Sequence, residues 1–578
     1  MNKRPLAHFL IGRPLETAAA AHQSISKVVG LAVFASDALS STAYATQEIL
    51  LILALAGTGA FYLSIPISLA IAVLLLVLTI SYRQTIHAYP SGGGAYLVSR
   101  DNLGELPAQV AAAALLTDYI LTVAVSIASG VDQIISAVPA LLNWRVPLAV
   151  ILVLVMMVIN LRGVKESGRI FAVPTYIFLG SMALTLIVGF FRWATGSLAP
   201  LTDAPIITET TAQSITLFLI LRAFSSGCTA LTGVEAISNG IPAFAEPRSR
   251  NAATTLAWMS VILGTVFVSI TFLAHHIGAT PSEAETVISQ LGRAVWGSGA
   301  GQIGLLAATT LILIMAANTS FADFPRLAAL AATDGFLPRQ LAYRGSRLVF
   351  SWGIALLATL AIVLLVVLQA NTSRLIPLYA IGVFLSFTLS QTGMVLRWRR
   401  IGRLQPNETA HSLHGTTLEY DARWSTKMIV NGVGGLMTFG VMIVFAVTKF
   451  ADGAWVVVIL IPALVFLLSA IHRHYAAVAD RLRLDGRPVA VLKRPLLTLL
   501  LVDDIHAGTM RLVDFAESLD HPWQAVHVAV NPDKTARIQQ KWMDQFGETA
   551  ELIILPSPFR SISGPLREFI LQKQAERP

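Results

Sequence analysis

Twelve apolar stretches recur along the chain, near residues 28–57, 60–82, 107–131, 146–161, 170–191, 213–243, 253–275, 301–318, 349–369, 374–396, 428–448 and 453–471. About 17 to 25 apolar residues suffice to cross the hydrocarbon core as a helix. In lipid every backbone N–H and C=O must be satisfied within the protein, so such stretches fold as helices. Composition agrees: 55% of residues are hydrophobic and 13% are charged, where a soluble domain carries roughly 25% charged residues. Mean hydropathy is +0.67. The expected body is therefore an α-helical polytopic membrane domain over residues 27–471.

Charge placement orients that body. The first 26 residues hold no apolar run of the kind a cleaved signal needs, so segment 1–26 is expected in the cytoplasm. With that end inside, 21 Lys and Arg fall on inner segments before residue 472, and five (Arg145, Arg192, Arg293, Arg374 and Lys449) on outer loops. A missed or extra helix scrambles such an asymmetry, so twelve spans with both ends cytoplasmic is the expected arrangement. The net charge of +8 is spread over membrane loops and forms no single basic face, which argues against nucleic acid as a partner. Cys228 is the sole cysteine, excluding an intramolecular disulfide and thiolate metal sites; it reads as a small apolar filler. No nucleophile–base pair or metal cluster points to an enzyme, and no cofactor is expected.

Within the first span one acid stands out. Asp37 lies amid VVGLAVFASDALSSTAYATQEILLILALAG, with Ser36, Ser40, Ser41 and Thr42 around it. A carboxylate near mid-bilayer costs at least about 3 kcal/mol and is usually kept because it binds an ion or moves a proton. The sixth span carries SSGCTALTGVEAISNG, with Gly227, Gly233, Gly240, Thr232 and the acid Glu235. Glycine weakens a helix by about 1 kcal/mol relative to alanine and lets the backbone open. Spans one and six are related by five, the spacing of a 5+5 inverted repeat whose broken helices face each other at the midplane. Close helix packing is the plainer reading of the glycines; the acid and hydroxyls beside them favour a break.

In the third span Asp118, Thr122 and Ser126 recur at i, i+4 and i+8, placing three oxygen-bearing side chains on one helix face bordered by Tyr119. Together, Asp37, Asp118 and Glu235 make a negative cavity suited to a small cation and unsuited to a substrate carboxylate. No histidine or cysteine cluster accompanies them, so hard oxygen ligands for an alkali ion are expected. Residue types alone leave K⁺ and Na⁺ open. A glutamate in apolar surroundings also suits reversible protonation, which makes Glu235 the expected proton-coupling group. A structural ion pair is the alternative for it, and Arg222 is not an obvious partner.

Weaker features complete the chain. YPSGGGAY (89–96) lacks the Lys-Ser/Thr of a phosphate loop and reads as a tight inner loop that moves during gating. NTSFADFPRLAALAATDGFLPRQL (318–341) reads as a short amphipathic loop helix, with Asp323 and Arg326 making solvated contacts. His275 and His276 read as interfacial. Segment 472–495 reads as an amphipathic connector. Strand-like runs at 496–504, 525–531 and 550–557 alternate with helical runs, the pattern of a small parallel α/β domain over 496–578.

As a set, ASDALSSTAY, PSGGGAY, TDYILTVAVS, LTGVEAISNG and NTSFADFPRLAALAATDGFLPRQL resemble the KimA-type high-affinity potassium importers of the APC superfamily, relatives of the KUP transporters. That resemblance implies a LeuT-like fold, potassium–proton symport by alternating access, and a homodimer formed through the cytoplasmic domain. It implies a potassium site and ion path formed by Asp37, Tyr44, Asp118, Tyr119, Thr122, Ser126 and Thr232, with proton coupling at Glu235. The localisation implied is the bacterial cytoplasmic membrane. The tail resembles a universal-stress-protein-like domain but lacks the G-x-x-G plus G-S/T signature of its ATP-binding members. Inhibition by cyclic di-AMP occurs in the family, and no residue pattern here decides it. Two other readings remain: a proton-coupled cationic amino-acid or polyamine permease, and a transporter-like sensor.

Overall fold

The structure, a computed structural model, describes residues 25–163, 168–201, 214–345, 348–412, 416–481, 497–519, 521–547 and 550–576. The expected segment 1–26 up to residue 24, and residues 482–495 of the expected connector, lie outside these.

The helical body opens with three short helices in series, α1 (Lys27–Phe34), α2 (Ser36–Ser40) and α3 (Ala45–Leu53). There follow α4 (Ser64–Ala88), α5 (Gly94–Asn102), α6 (Glu105–Ala137), α7 (Arg145–Leu161) and α8 (Gly168–Ala194). A second interrupted pair comes next, α9 (Leu217–Gly227) and α10 (Val234–Asn239), then α11 (Arg248–His276), α12 (Val287–Trp296), α13 (Ala300–Thr333) and α14 (Ser351–Val367). The body closes with α15 (Thr372–Ile401), a hairpin of β1 (Thr409–His411) and β2 (Thr417–Glu419), α16 (Trp424–Thr448) and α17 (Trp455–Arg481). Eleven segments among the described residues are long and apolar enough to cross a membrane, and Ser351–Val367 is a shorter apolar helix of 17 residues.

Burial follows the apolar periodicity. The inner face of α4 buries Ile67, Ile71, Leu74, Leu75 and Leu78, while Leu69, Val73, Leu76 and Ile80 stay exposed. An exposed apolar stripe on a helix of this hydropathy is a lipid-facing surface, since lipid offers no penalty for apolar side chains. Inter-helix hydrogen bonds stitch the interior, such as Thr46 to Thr271 at 2.9 Å and Ser81 to the Asn431 amide oxygen at 2.7 Å.

One expectation changes here. The stretch 318–341 is no separate loop helix: α13 runs unbroken through Pro325 to Thr333. Proline is tolerated within membrane helices because neighbours re-satisfy the backbone group it frees. Asp323 on this helix is 4% exposed, against 52% for Arg326, whose guanidinium lies 3.6 Å from it. Arg222, not expected to pair with Glu235, instead donates two 2.8 Å bonds to both carboxylate oxygens of Asp452, 230 residues away.

The tail is the expected parallel α/β unit. Strands β3 (Thr498–Leu501), β4 (Trp523–Ala529) and β5 (Leu552–Pro556) form one parallel sheet with β4 central. Helices α18 (Ala507–Ser518), α19 (Pro532–Phe546) and α20 (Ser563–Glu576) connect and follow them. Trp542 anchors the small core, its indole N–H donating to the Ala550 carbonyl at 2.6 Å.

Candidate ion site

The two interrupted segments meet. In the first, the hydroxyls of Ser40, Ser41 and Thr42 donate to the carbonyls of Asp37, Ala38 and Leu39, at 2.7, 2.5 and 2.7 Å. Bonds reaching back three residues accompany a tighter 3₁₀ winding over Ser41–Ala43, and Tyr44 then leaves helical geometry at φ −124°. In the second, a 3₁₀ turn over Cys228–Leu231 leads to Thr232 in extended conformation and Gly233 at φ +79°. The Ser41 hydroxyl also donates to the Ala230 carbonyl at 3.1 Å, joining one break to the other. A Cβ on Gly233 would fall 2.6 Å from the Ala38 nitrogen and 2.8 Å from Asp37 Oδ2. Only glycine gives both the left-handed backbone and this approach to the acid.

Asp37 is 6% exposed, and among the described residues its carboxylate takes no hydrogen bond. Tyr44 lies beside Asp37 and within reach of the Thr232 side chain. Asp118 on α6 has Asp37 and Glu235 as its electrostatic neighbours, and its buried Oδ1 has no hydrogen-bond partner among the described residues. The expected ladder along α6 is helical: Thr122 and Ser126 are each 1% exposed. The Thr122 and Tyr379 hydroxyls share a 2.8 Å hydrogen bond, and the Asn239 amide donates to the Tyr119 hydroxyl at 2.7 Å. Thr232 donates to the Thr229 carbonyl at 2.9 Å within its own turn.

Glu235 is housed differently. Its Oε1 accepts from the Ala95 backbone N–H at 2.7 Å, and its Oε2 from Ser386 at 3.0 Å and Tyr82 at 3.5 Å. The glycine motif explains the first bond. Gly94 has φ +47°, and a Cβ there would overlap Glu235 Oε1 and the Asn239 amide oxygen. The turn at residues 89–93, expected as a tight loop, thus leads into α5, whose first-turn Ala95 N–H sits against the acid of α10.

Four buried acids therefore share one region: Asp37, Asp118, Glu235 and Asp323, the last within electrostatic range of Asp37. A cavity of about 40 Å³ lies between α1–α2 and α13, lined by Ser36, Asn318, Thr319 and Asp323. Among the described residues no three His, Cys, Asp or Glu side chains converge tightly enough to hold a metal ion by themselves. Any cation held here would need the hydroxyls and opened backbone as well, the ligand set of an alkali ion. The sequence reading placed Asp323 in solvent and did not name Tyr379, Ser386 or Tyr82. Asp323 carried a signal, an acid within an unbroken apolar period; the other three lie on ordinary apolar helices.

A family model described as amino acid permease matches residues 21–471, and one described as KimA potassium transporter C-terminal domain matches 493–578. The potassium transporter KimA of Bacillus subtilis (strain 168) is 43% identical over 574 residues, covering 99% of this chain and 90% of that protein. The probable potassium transport system protein Kup 1 of Bradyrhizobium sp. (strain ORS 278) is 24% identical over 387 residues, 66% of this chain and 56% of that protein. The chloroplastic cationic amino acid transporter 7 of Arabidopsis thaliana is 26% identical over 182 residues, 29% of each chain.

Proposed function

This chain belongs to the amino acid permease family as a KimA-type member, and we propose that it imports potassium by proton symport through alternating access. It is a multi-pass membrane transporter and not an enzyme. The observation that carries the ion site is the pair of buried carboxylates, Asp37 and Asp118, left without hydrogen-bond partners among the described residues, beside two facing helix breaks. An unpaired buried carboxylate is costly unless a cation completes it. In this reading Asp37, Tyr44, Asp118, Tyr119, Thr122, Ser126 and Thr232 form the potassium site and its path. Glu235 couples the proton: its three donors must let go, or a proton must take their place, for α5 to move at Ala95.

The finer architecture belongs to the same reading. Counting Ser351–Val367 gives twelve spans, and the breaks in spans one and six suit a LeuT-like 5+5 inverted repeat. Arginine-rich loops put both ends in the cytoplasm of a bacterial inner membrane. Exposed Leu512, Phe515, Phe559 and Leu571 on the universal-stress-protein-like tail suit a homodimer through that domain. Inhibition by cyclic di-AMP is carried from the family resemblance, with no residues assigned to it.

Growth of a potassium-import-deficient bacterium at low external potassium tests the reading. The wild-type chain is expected to restore growth and Asp37→Ala to fail. Wild-type growth with Asp37→Ala would sink the site. Entry of labelled lysine or putrescine without potassium uptake would establish the cationic permease instead.

A further inference from the structure

A cavity of about 840 Å³ opens where the last turns of α4 and α15 meet strand β2 and the first turn of α16. It lies at the arginine-rich face and is separate from the ion site. Its wall includes three cations, Arg83, Arg397 and Lys427, and two carboxylates, Glu419 and Asp421.

Two of the cations are already engaged. Lys427 donates to Asp421 at 2.5 Å and sits 4.6 Å above the Trp398 ring. Arg397 faces Asp101 at 3.6 Å and donates to Thr416 and to the Thr417 carbonyl, each at 3.1 Å. Among the described residues neither the Arg83 guanidinium nor the Glu419 carboxylate forms an ion pair or hydrogen bond. The uncommitted groups are thus one cation and one anion.

An exposed apolar stripe on α4 leads to the cavity. Leu69, Val73, Leu76 and Ile80 are exposed at 50, 56, 58 and 44% along one face of α4, and the same 3–4 spacing continues to Arg83 and His87 on the cavity wall. Phosphate-bearing headgroups settle in such pockets between helices at a membrane surface.

We propose that this cavity takes the headgroup of an ethanolamine phospholipid from the adjoining leaflet. The phosphate lies against Arg83, the ammonium against Glu419, and an acyl chain along the Ile80 stripe. Tyr89, Pro90 and Ser91 complete the wall. They begin the loop that leads into α5, whose Ala95 N–H holds Glu235, so a bound headgroup braces that loop and sets how readily α5 releases the acid. The binding claim stands apart from the identity of the transported ion; only the effect on rate rests on the function proposed above.

Native mass spectrometry of the full chain in detergent tests it, with dioleoyl phosphatidylethanolamine, phosphatidylglycerol and phosphatidylcholine as probes and O-phosphoethanolamine as the soluble counterpart. Phosphatidylethanolamine is expected to be retained best. Arg83→Ala should weaken its retention by about tenfold and Glu419→Gln by about threefold, the loss of one charge-assisted contact each. Arg399→Ala, an exposed arginine outside the cavity, should change nothing. Equal retention of the three lipids, or retention indifferent to Arg83→Ala, overturns the site. A preference for phosphatidylglycerol that ignores Glu419→Gln overturns the ethanolamine assignment. Binding of O-phosphoethanolamine as tight as the lipid overturns the leaflet as source. In liposomes, rubidium uptake by the wild type but not by Arg83→Ala should rise when phosphatidylethanolamine is included; equal rises overturn the bracing of the loop.

Discussion

Asp37 and Glu235 occupy the two interrupted helices of one site, yet their surroundings are opposite. Glu235 is filled: a backbone N–H and two hydroxyls already satisfy its oxygens. Asp37 takes no hydrogen bond among the described residues, and the backbone of Gly233 is drawn against it. The same chemical group in paired positions can therefore serve two ends. A carboxylate with vacant lone pairs attracts a cation, whereas a carboxylate that ties a loop down acts as a latch whose release needs a proton or a competing donor.

The sharpest way to break this contrast is Asp37→Asn. It keeps the shape but removes the charge, and rubidium uptake in proteoliposomes is expected to fall by about 100-fold or more, some 2.7 kcal/mol of lost charge–ion interaction. Next comes Glu235→Gln. It keeps a carbonyl acceptor for Ala95 but cannot titrate, so uptake should drop by about tenfold. The rise of wild-type uptake with external acidification between about pH 8 and 6 should also flatten in this variant. An unchanged pH profile would remove Glu235 from proton coupling.

Smaller effects probe the latch and the ladder separately. Gly94→Ala forces a methyl onto Glu235 Oε1 and strains a left-handed residue, so uptake should fall several-fold, about 1 kcal/mol, while Asp37-dependent ion binding persists. Thr122→Val removes the hydroxyl shared with Tyr379. The apparent KM for rubidium should rise by about threefold with little change in maximal rate, the loss of one uniform binding contact.

How much of this was legible in the sequence follows from how local each signal is. The hydroxyl cluster at residues 36–42 and the glycines of span six announced the breaks, because 3₁₀ winding and a left-handed residue are set within one turn. The ladder on α6 was equally local. The tail's alternation of strands and helices carried its parallel sheet. Partners far away in sequence were not legible. The bond of Ala95 to Glu235 spans 140 residues and that of Ser386 to Glu235 spans 151. No spacing rule reaches across such distances. Asp323 was misassigned for a local reason: Pro325, two residues on, suggests a helix end in water, but lipid and neighbouring helices let α13 run through it.

Equilibrium rubidium binding to the purified Asp37→Asn and Glu235→Gln proteins, measured side by side with wild type, tests the division of labour most directly. Binding is expected to be lost in Asp37→Asn and to stay within about threefold of wild type in Glu235→Gln. Retained binding in Asp37→Asn together with loss in Glu235→Gln would contradict it.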